Sequence, residues 1–336
     1  MPRERVFWIV LASLILVGIA AGFLGNRART VPLVLAPGAD PRPQSATGRS
    51  WQEEQLQRIA VIPAGEGQAL KNPTLLRLGA RGDVYILDSD EAQVERYSAE
   101  GKPLAVYSTD IVNPSDVAVG AAGDVWVVDP DKRRIVVLSP EGAAARQIDL
   151  EGIPFRLGLD GRGGFVVTFH KRGENLFQSY SSSGKAGPAF GRFFPEDLQS
   201  SLTADGWIVN VRPDTFVYPL RHAGLLASYT MDGRLQFLRR TIAPVPLPEV
   251  QIDTAGGHRI DNRTPLASIS GSVVDGDVYV LSAESSKERV LDVYDAETGT
   301  YRFSLHPPEG DARWVALTRD QLFSVTRRGV SIWRRH

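Results

Sequence analysis

Few residues in this chain have both the type and the spacing that chemistry demands, and four aspartates come closest. Asp88 and Asp90 flank Ser89, and Asp129 and Asp131 flank Pro130, in two otherwise similar segments. Clustered carboxylates suit a hard divalent cation. Aspartates that end an apolar run also accept the N–H groups of their own turn. The next copy of the segment has Phe169 and His170 where the acids stand, so no metal and no cofactor is expected. The five histidines, at 170, 222, 258, 306 and 336, include no pair spaced as ligands. His170 stands out because Lys171 and Arg172 follow it; with Arg327 and Arg328 it would form a basic cluster. No GxGxxG, Walker, GxSxG or HExxH pattern occurs. A site here would have to be assembled from single residues far apart in sequence.

The elements that would do the assembling are short strands. Gly82 opens GDVYILDSDEAQVERYSAEGK and Gly123 opens GDVWVVDPDKRRIVVLSPEG, 41 residues apart. A fixed period of this length means one supersecondary unit is copied and stacked. Each copy holds β-branched and aromatic runs of about five residues between Gly-containing turns, with no competing helical spacing. Further turns are expected at Gly163 and Gly206, so units begin near Asn72, Asn113, Ile153 and Asp197; another copy opens at Gly276. The C-terminal stretch offers only three strands, and LQRIAVIP at 56–63 is an orphan strand before the first unit. Pairing the two would complete a sixth unit and close the ring, which removes exposed sheet edges.

The phrases NPTLLRLGARGDVYILDSDEAQVERYSAEGK and NPSDVAVGAAGDVWVVDPDKRRIVVLSPEG resemble NHL repeats. That resemblance implies an all-β, six-bladed β-propeller of the bacterial exported type. It also implies that the first strand of each blade lines a central channel, whose mouth lies among the second-to-third-strand turns and the links between blades. Seven residues before the first-hairpin glycines stand Leu75, Asp116, Arg156 and Gln199, and Trp314 falls at the matching place in the last blade. An acid, a base, an amide and an indole around one mouth would hold a small zwitterionic or peptide-like ligand. Alternatively, Asp116 and Arg156, on adjacent blades, pair with each other and close the channel. The ligand-binding candidates are therefore Asp116, Arg156, Gln199, Trp314, His170 and Arg172.

The ends of the chain bear on location. Residues 6–24 form an uncharged apolar run of 19 behind Arg3 and Arg5, long enough to span hydrocarbon as a helix. A signal anchor is expected over 1–30, with a signal peptide as the alternative. Residues 31–52, with four prolines and little apolar content, read as a linker, and the propeller as 53–336. The stretch 241–266 exceeds the repeat and reads as an inserted loop, whose PVPLPEV segment favours extended polyproline geometry and could present apolar groups to a partner; the alternative is a lid on its own domain. Asn262-Arg263-Thr264 is a formal sequon. The chain has no cysteine, and its net charge of −1, with signs mixed along the chain, argues against a nucleic-acid partner. The leading expectation is a membrane-tethered propeller, displayed in the periplasm or extracellular space, that binds a protein or small ligand through its loop face and the 241–266 insert. The rival is a propeller-type lyase or lactone hydrolase using Asp116, Arg156 and His170 at the channel mouth. A third reading is a purely structural envelope subunit.

Overall fold

The computed structural model describes residues 29–108, 110–170, 175–243, 245–253, 257–261, 264–283 and 288–336. The expected membrane segment at 6–24, the sequon residues Asn262 and Arg263, and Lys171 and Arg172 lie outside them. The described residues form an all-β, propeller-like fold of six four-stranded antiparallel sheets and one three-stranded sheet. The first strands of the six large sheets are Pro73–Leu78, Val117–Val119, Pro154–Leu159, Val209–Arg212, Leu266–Val274 and Trp314–Leu317. They touch in that cyclic order, the last meeting the first. The strand Leu56–Pro63 pairs with Gly329–Arg335, from Leu56 opposite Arg335 to Pro63 opposite Gly329, so the two chain ends share one sheet as the period requires.

Apolar residues run without alternation through the second strands: Val84–Asp88, Val125–Asp129 and Phe165–Phe169 are buried at every position. Both faces of such a strand meet a neighbouring blade, which is why the pattern is continuous. The turn between first and second strands uses left-handed glycine at Gly82, Gly123, Gly163 and Gly276. Close inter-blade approach depends on two further glycines. A Cβ on Gly158 would lie 2.3 Å from Cγ2 of Ile208, and one on Gly271 would lie 2.6 Å from Cγ2 of Val209.

Three expectations need correction. In the fourth blade the first hairpin turns at Pro213-Asp214, between Val209–Arg212 and Thr215–Pro219, and Gly206 precedes the first strand. A Gly in a polar context resembled the repeat's turn, whereas the true turn has none. Residues 31–52 are not a tether but a strap. Arg42 makes a parallel bridge to Arg239 on the outer strand of the fourth blade, and Trp51 makes one to Ser304 on the outer strand of the fifth. Leu33 and Ala36 are buried. Low apolar content concealed this because the strap attaches largely through its backbone. The 241–266 insert, expected as a loop, contains the strands Glu249–Ile252 and His258–Ile260, which build the three-stranded sheet with Arg29–Pro32. Its proline-rich part therefore leads into a ladder and does not stand free: Leu33 N–H donates to the Pro248 carbonyl, and Val250 is fully buried.

Candidate functional site at the channel mouth

The first strands run from the link side of the ring, where Asp116, Arg156 and Trp314 sit, to the first-hairpin side. At the link side the channel is filled. Asp116 is completely buried, and its partner is Arg77 of the preceding blade, whose Nη2 donates to Oδ1 at 2.8 Å. The other carboxylate oxygen accepts Leu157 N–H at 3.0 Å, which binds the second blade to the third. Arg156 pairs with Asp205, Nη2 to Oδ1 at 3.1 Å, and donates Nε to the Gly206 carbonyl and Nη1 to the Ser115 carbonyl. Its guanidinium lies 3.7 Å from the centroid of Trp207 and 4.0 Å from that of Phe155. A cation enclosed by rings and desolvated gains on the order of 2 kcal/mol from their faces. Asp205 also accepts from Arg221 at 3.3 Å. The expected Asp116–Arg156 pair is thus absent: each charge is matched to a different neighbour, and the result is still a closed end.

Two indoles complete the seal. Trp314, 1% exposed, meets Trp207 edge to face with centroids 4.6 Å apart, and Arg77 stacks over Trp314 at 5.0 Å. Among the described residues neither indole N–H has a hydrogen-bond partner. The edge-to-face contact offers only the weak acceptance of a π face. Beside Arg221, burial and the neighbouring guanidinium hold the His222 imidazole below its usual range, with Asp205 opposing.

Gln199 is not at the mouth position. Buried between blades, its Oε1 accepts Phe193 and Phe194 N–H at 2.7 and 3.1 Å, and its Nε2 donates to the Gly191 carbonyl. The mistaken turn at Gly206 produced the mistaken count. His170 does reach the mouth: it is exposed, its Nδ1 lies 2.7 Å from Ser201 Oγ, and its ring meets Phe155 edge-on. The paired acids serve backbone and side chains of their own blades. Asp88 accepts the N–H groups of Lys71, Asn72 and Asp90, and Asp129 accepts Lys132 N–H and Arg134 Nε. Asn72 to Asp90 and Asn113 to Asp131 repeat one side-chain bond in both blades.

Sequence reasoning missed Arg77, Asp205 and Trp207. Arg77 had a signal, being the one charge in the otherwise apolar run LLRL of a channel strand. Two cavities were not foreseen either. One, of about 270 Å3, occupies the hairpin end of the channel between Leu76, Leu78, Val119, Leu157, Leu159 and Val273, with Asn210 and Ser272. The other, of about 390 Å3, is a cleft between the fourth and fifth blades. It is bordered by Thr47 and Arg49 of the strap, by Ile242, Val245, Pro246 and Pro265 of the insert, and by Ser282 and Asp292. There Arg49 holds the buried Asp292 through two bonds, at 2.8 and 3.0 Å.

Solved structures of low identity share this architecture. A Bacteroides fragilis protein described as exported aligns with a TM-score of 0.62 at 9% identity, over 88% of this chain and 98% of its own. A catalytically inactive virginiamycin B lyase from Staphylococcus aureus, solved with Quinupristin, aligns at 0.54 and 11%, over 84% and 99%. The Swd1 β-propeller domain from Myceliophteria thermophila aligns at 0.50 and 9%, over 84% and 99%. At these identities the likeness is one of fold, and the fold is that of β-propellers. No family model matches the chain. No curated protein matches it either.

Proposed function

We propose that this chain is a membrane-tethered, extracytoplasmic six-bladed propeller of NHL-like repeats that binds a protein or peptide-like partner and performs no chemistry in its channel. The observation that carries this is the filled mouth. Asp116 and Arg156 are engaged by Arg77 and Asp205 beneath two interlocked indoles, so among the described residues neither charge is left free for a substrate. Binding then falls to the loop face, where the cleft between the fourth and fifth blades offers apolar walls and one buried ion pair. Such a mixture suits an extended peptide segment. The apolar run at 6–24 and the fold shared with an exported protein support the location. The test is quantitative capture of partner from the native envelope. Pro246→Asp, which puts a charge on the cleft's exposed apolar rim, should lose the partner that the unaltered chain retains. Equal capture by both would remove the cleft from the proposal.

One observation favours the second reading, a propeller-type lyase or hydrolase. The His170–Ser201 pair stands at the mouth outside the sealed network, and a lyase shares the fold. If that reading holds, His170→Ala should abolish turnover of a lactone or depsipeptide panel while the melting temperature stays unchanged. No activity from either chain rejects it.

A further inference from the structure

The strap and the insert together fix where the chain leaves the ring. In the three-stranded sheet Pro32 faces Glu249 at the base, and Arg29 faces Ile252 at the far end, one residue before the hairpin that Asp253 N–H closes on the Gly257 carbonyl. His258 faces Ile252 from the other side. The base is rooted: Leu33 and Val250 are buried among Phe193, Phe194, Leu220 and Ala223, which belong to a blade link and a second-to-third-strand turn. The tip is therefore the end at which the chain is handed over to residues 1–28. Only five peptide steps separate Leu24, the end of the apolar run, from Arg29. Even fully extended, five steps reach no more than about 18 Å.

From this we infer that the sheet formed by Arg29–Pro32, Glu249–Ile252 and His258–Ile260 is a stem that seats the ring on the lipid surface, with the link-and-loop face toward the membrane and the first hairpins away from it. The inference rests on the anchor reading of 6–24. The stem takes the place of the flexible linker that composition suggested: a paired ladder holds one height and one tilt where a Pro-rich coil would allow many. The sixth blade, two further round the ring from the fourth, adds charge on the same face. There Arg328 pairs with Asp311, and Arg313 lies close to both Asp311 and Arg327, while Glu309 turns inward to Ser324 and Ser331. Guanidinium groups so placed favour anionic headgroups. A partner entering the cleft beside the stem would then have to approach along the membrane.

The chain has no cysteine, so single labels can be placed without background. Full-length Arg259→Cys, at the stem, and Arg81→Cys, on an opposite hairpin, would each carry a fluorophore. Each would be reconstituted into phosphatidylcholine and phosphatidylglycerol vesicles bearing nitroxide on the headgroups. Quenching at 259 should exceed that at 81 several-fold, and a 20-residue Gly-Ser spacer inserted between Ala28 and Arg29 should bring the two toward equality. Equal quenching without the spacer, or stronger quenching at 81, in protein that floats with the vesicles overturns the stem alone. Protein that folds but does not float overturns the anchor reading, and the stem with it.

Discussion

The two ends of the channel are built on opposite plans. At the link end, Arg77, Asp116, Arg156, Asp205, Trp207 and Trp314 interlock until almost nothing is accessible. At the hairpin end, aliphatic side chains stand back around about 270 Å3, with Asn210, Ser272 and the inner side of Arg77 as the polar part of the lining. Charges buried in a ring of blades need partners on neighbouring blades, so they tie the blades together; the aliphatic part of the hairpin-end wall needs none and leaves space. The difference shows where the molecule uses specificity to hold itself shut. It also shows why the residues with the most chemical character are poor candidates for catalysis.

The strongest way to break this comparison is to remove the shared acid. Asp205→Ala leaves Arg156 and Arg221 facing no carboxylate, and loss of one member of a buried network costs about 3 to 5 kcal/mol. Leu78→Ala, at the already half-open hairpin end, should cost less than about 2 kcal/mol because little additional void forms. Urea unfolding of the two variants checks the ordering, and equal losses would erase the distinction between the ends. A double exchange sharpens it. Arg77→Met with Asp116→Leu should be more stable than Asp116→Leu alone, since the lone guanidinium is the costly species. If the double variant is the weaker, Arg77 is held by its Val117 carbonyl bond and its indole more than by the carboxylate.

A smaller effect should follow pH. The folded His222 imidazole lies below its usual range, so the unfolded chain takes up a proton first as pH falls. Stability is therefore present above the ordinary histidine pKa of about 6.5 and is lost below it. His222→Gln should show a smaller fall in melting temperature between pH 7 and 5, read by calorimetry. An unchanged slope would assign the acid sensitivity to the carboxylates.

What could be read in advance divides along the same physical line. The period, the short strands and the closure by 56–63 were legible because the Gly turns at 82, 123 and 163 recur 41 and 40 residues apart, each followed by a continuous apolar second strand. The fourth blade was misread because its turn, Pro213-Asp214, carries no glycine while Gly206 imitates one. The strap and the stem were illegible for another reason. Backbone bonds such as Arg42 N–H to the Leu238 carbonyl and Gln52 N–H to the Ser304 carbonyl leave no side-chain pattern. Asp116, Arg156 and Trp314 do lie at one end of the channel, but the sequence could not choose their partners. Arg77 lies 39 residues from Asp116, and Asp205 lies 49 from Arg156.

The smallest expected effect probes the space itself. Val273 borders the hairpin-end cavity, so Val273→Phe adds a ring beside about 270 Å3 of free space. The change should cost under about 1.5 kcal/mol, in the range of tolerated apolar exchanges. Gly158 is the matched control, because its Cβ would meet Cγ2 of Ile208, the residue just before the fourth blade's first strand, at 2.3 Å. One methyl there forces a backbone shift and should cost about 1 to 3 kcal/mol despite adding far less volume. If the added ring proves the more harmful, the cavity walls are as tightly constrained as the seal, and the contrast between the two ends fails. If the methyl does, inter-blade contact is what the ring cannot relax, and the open end is free to be filled.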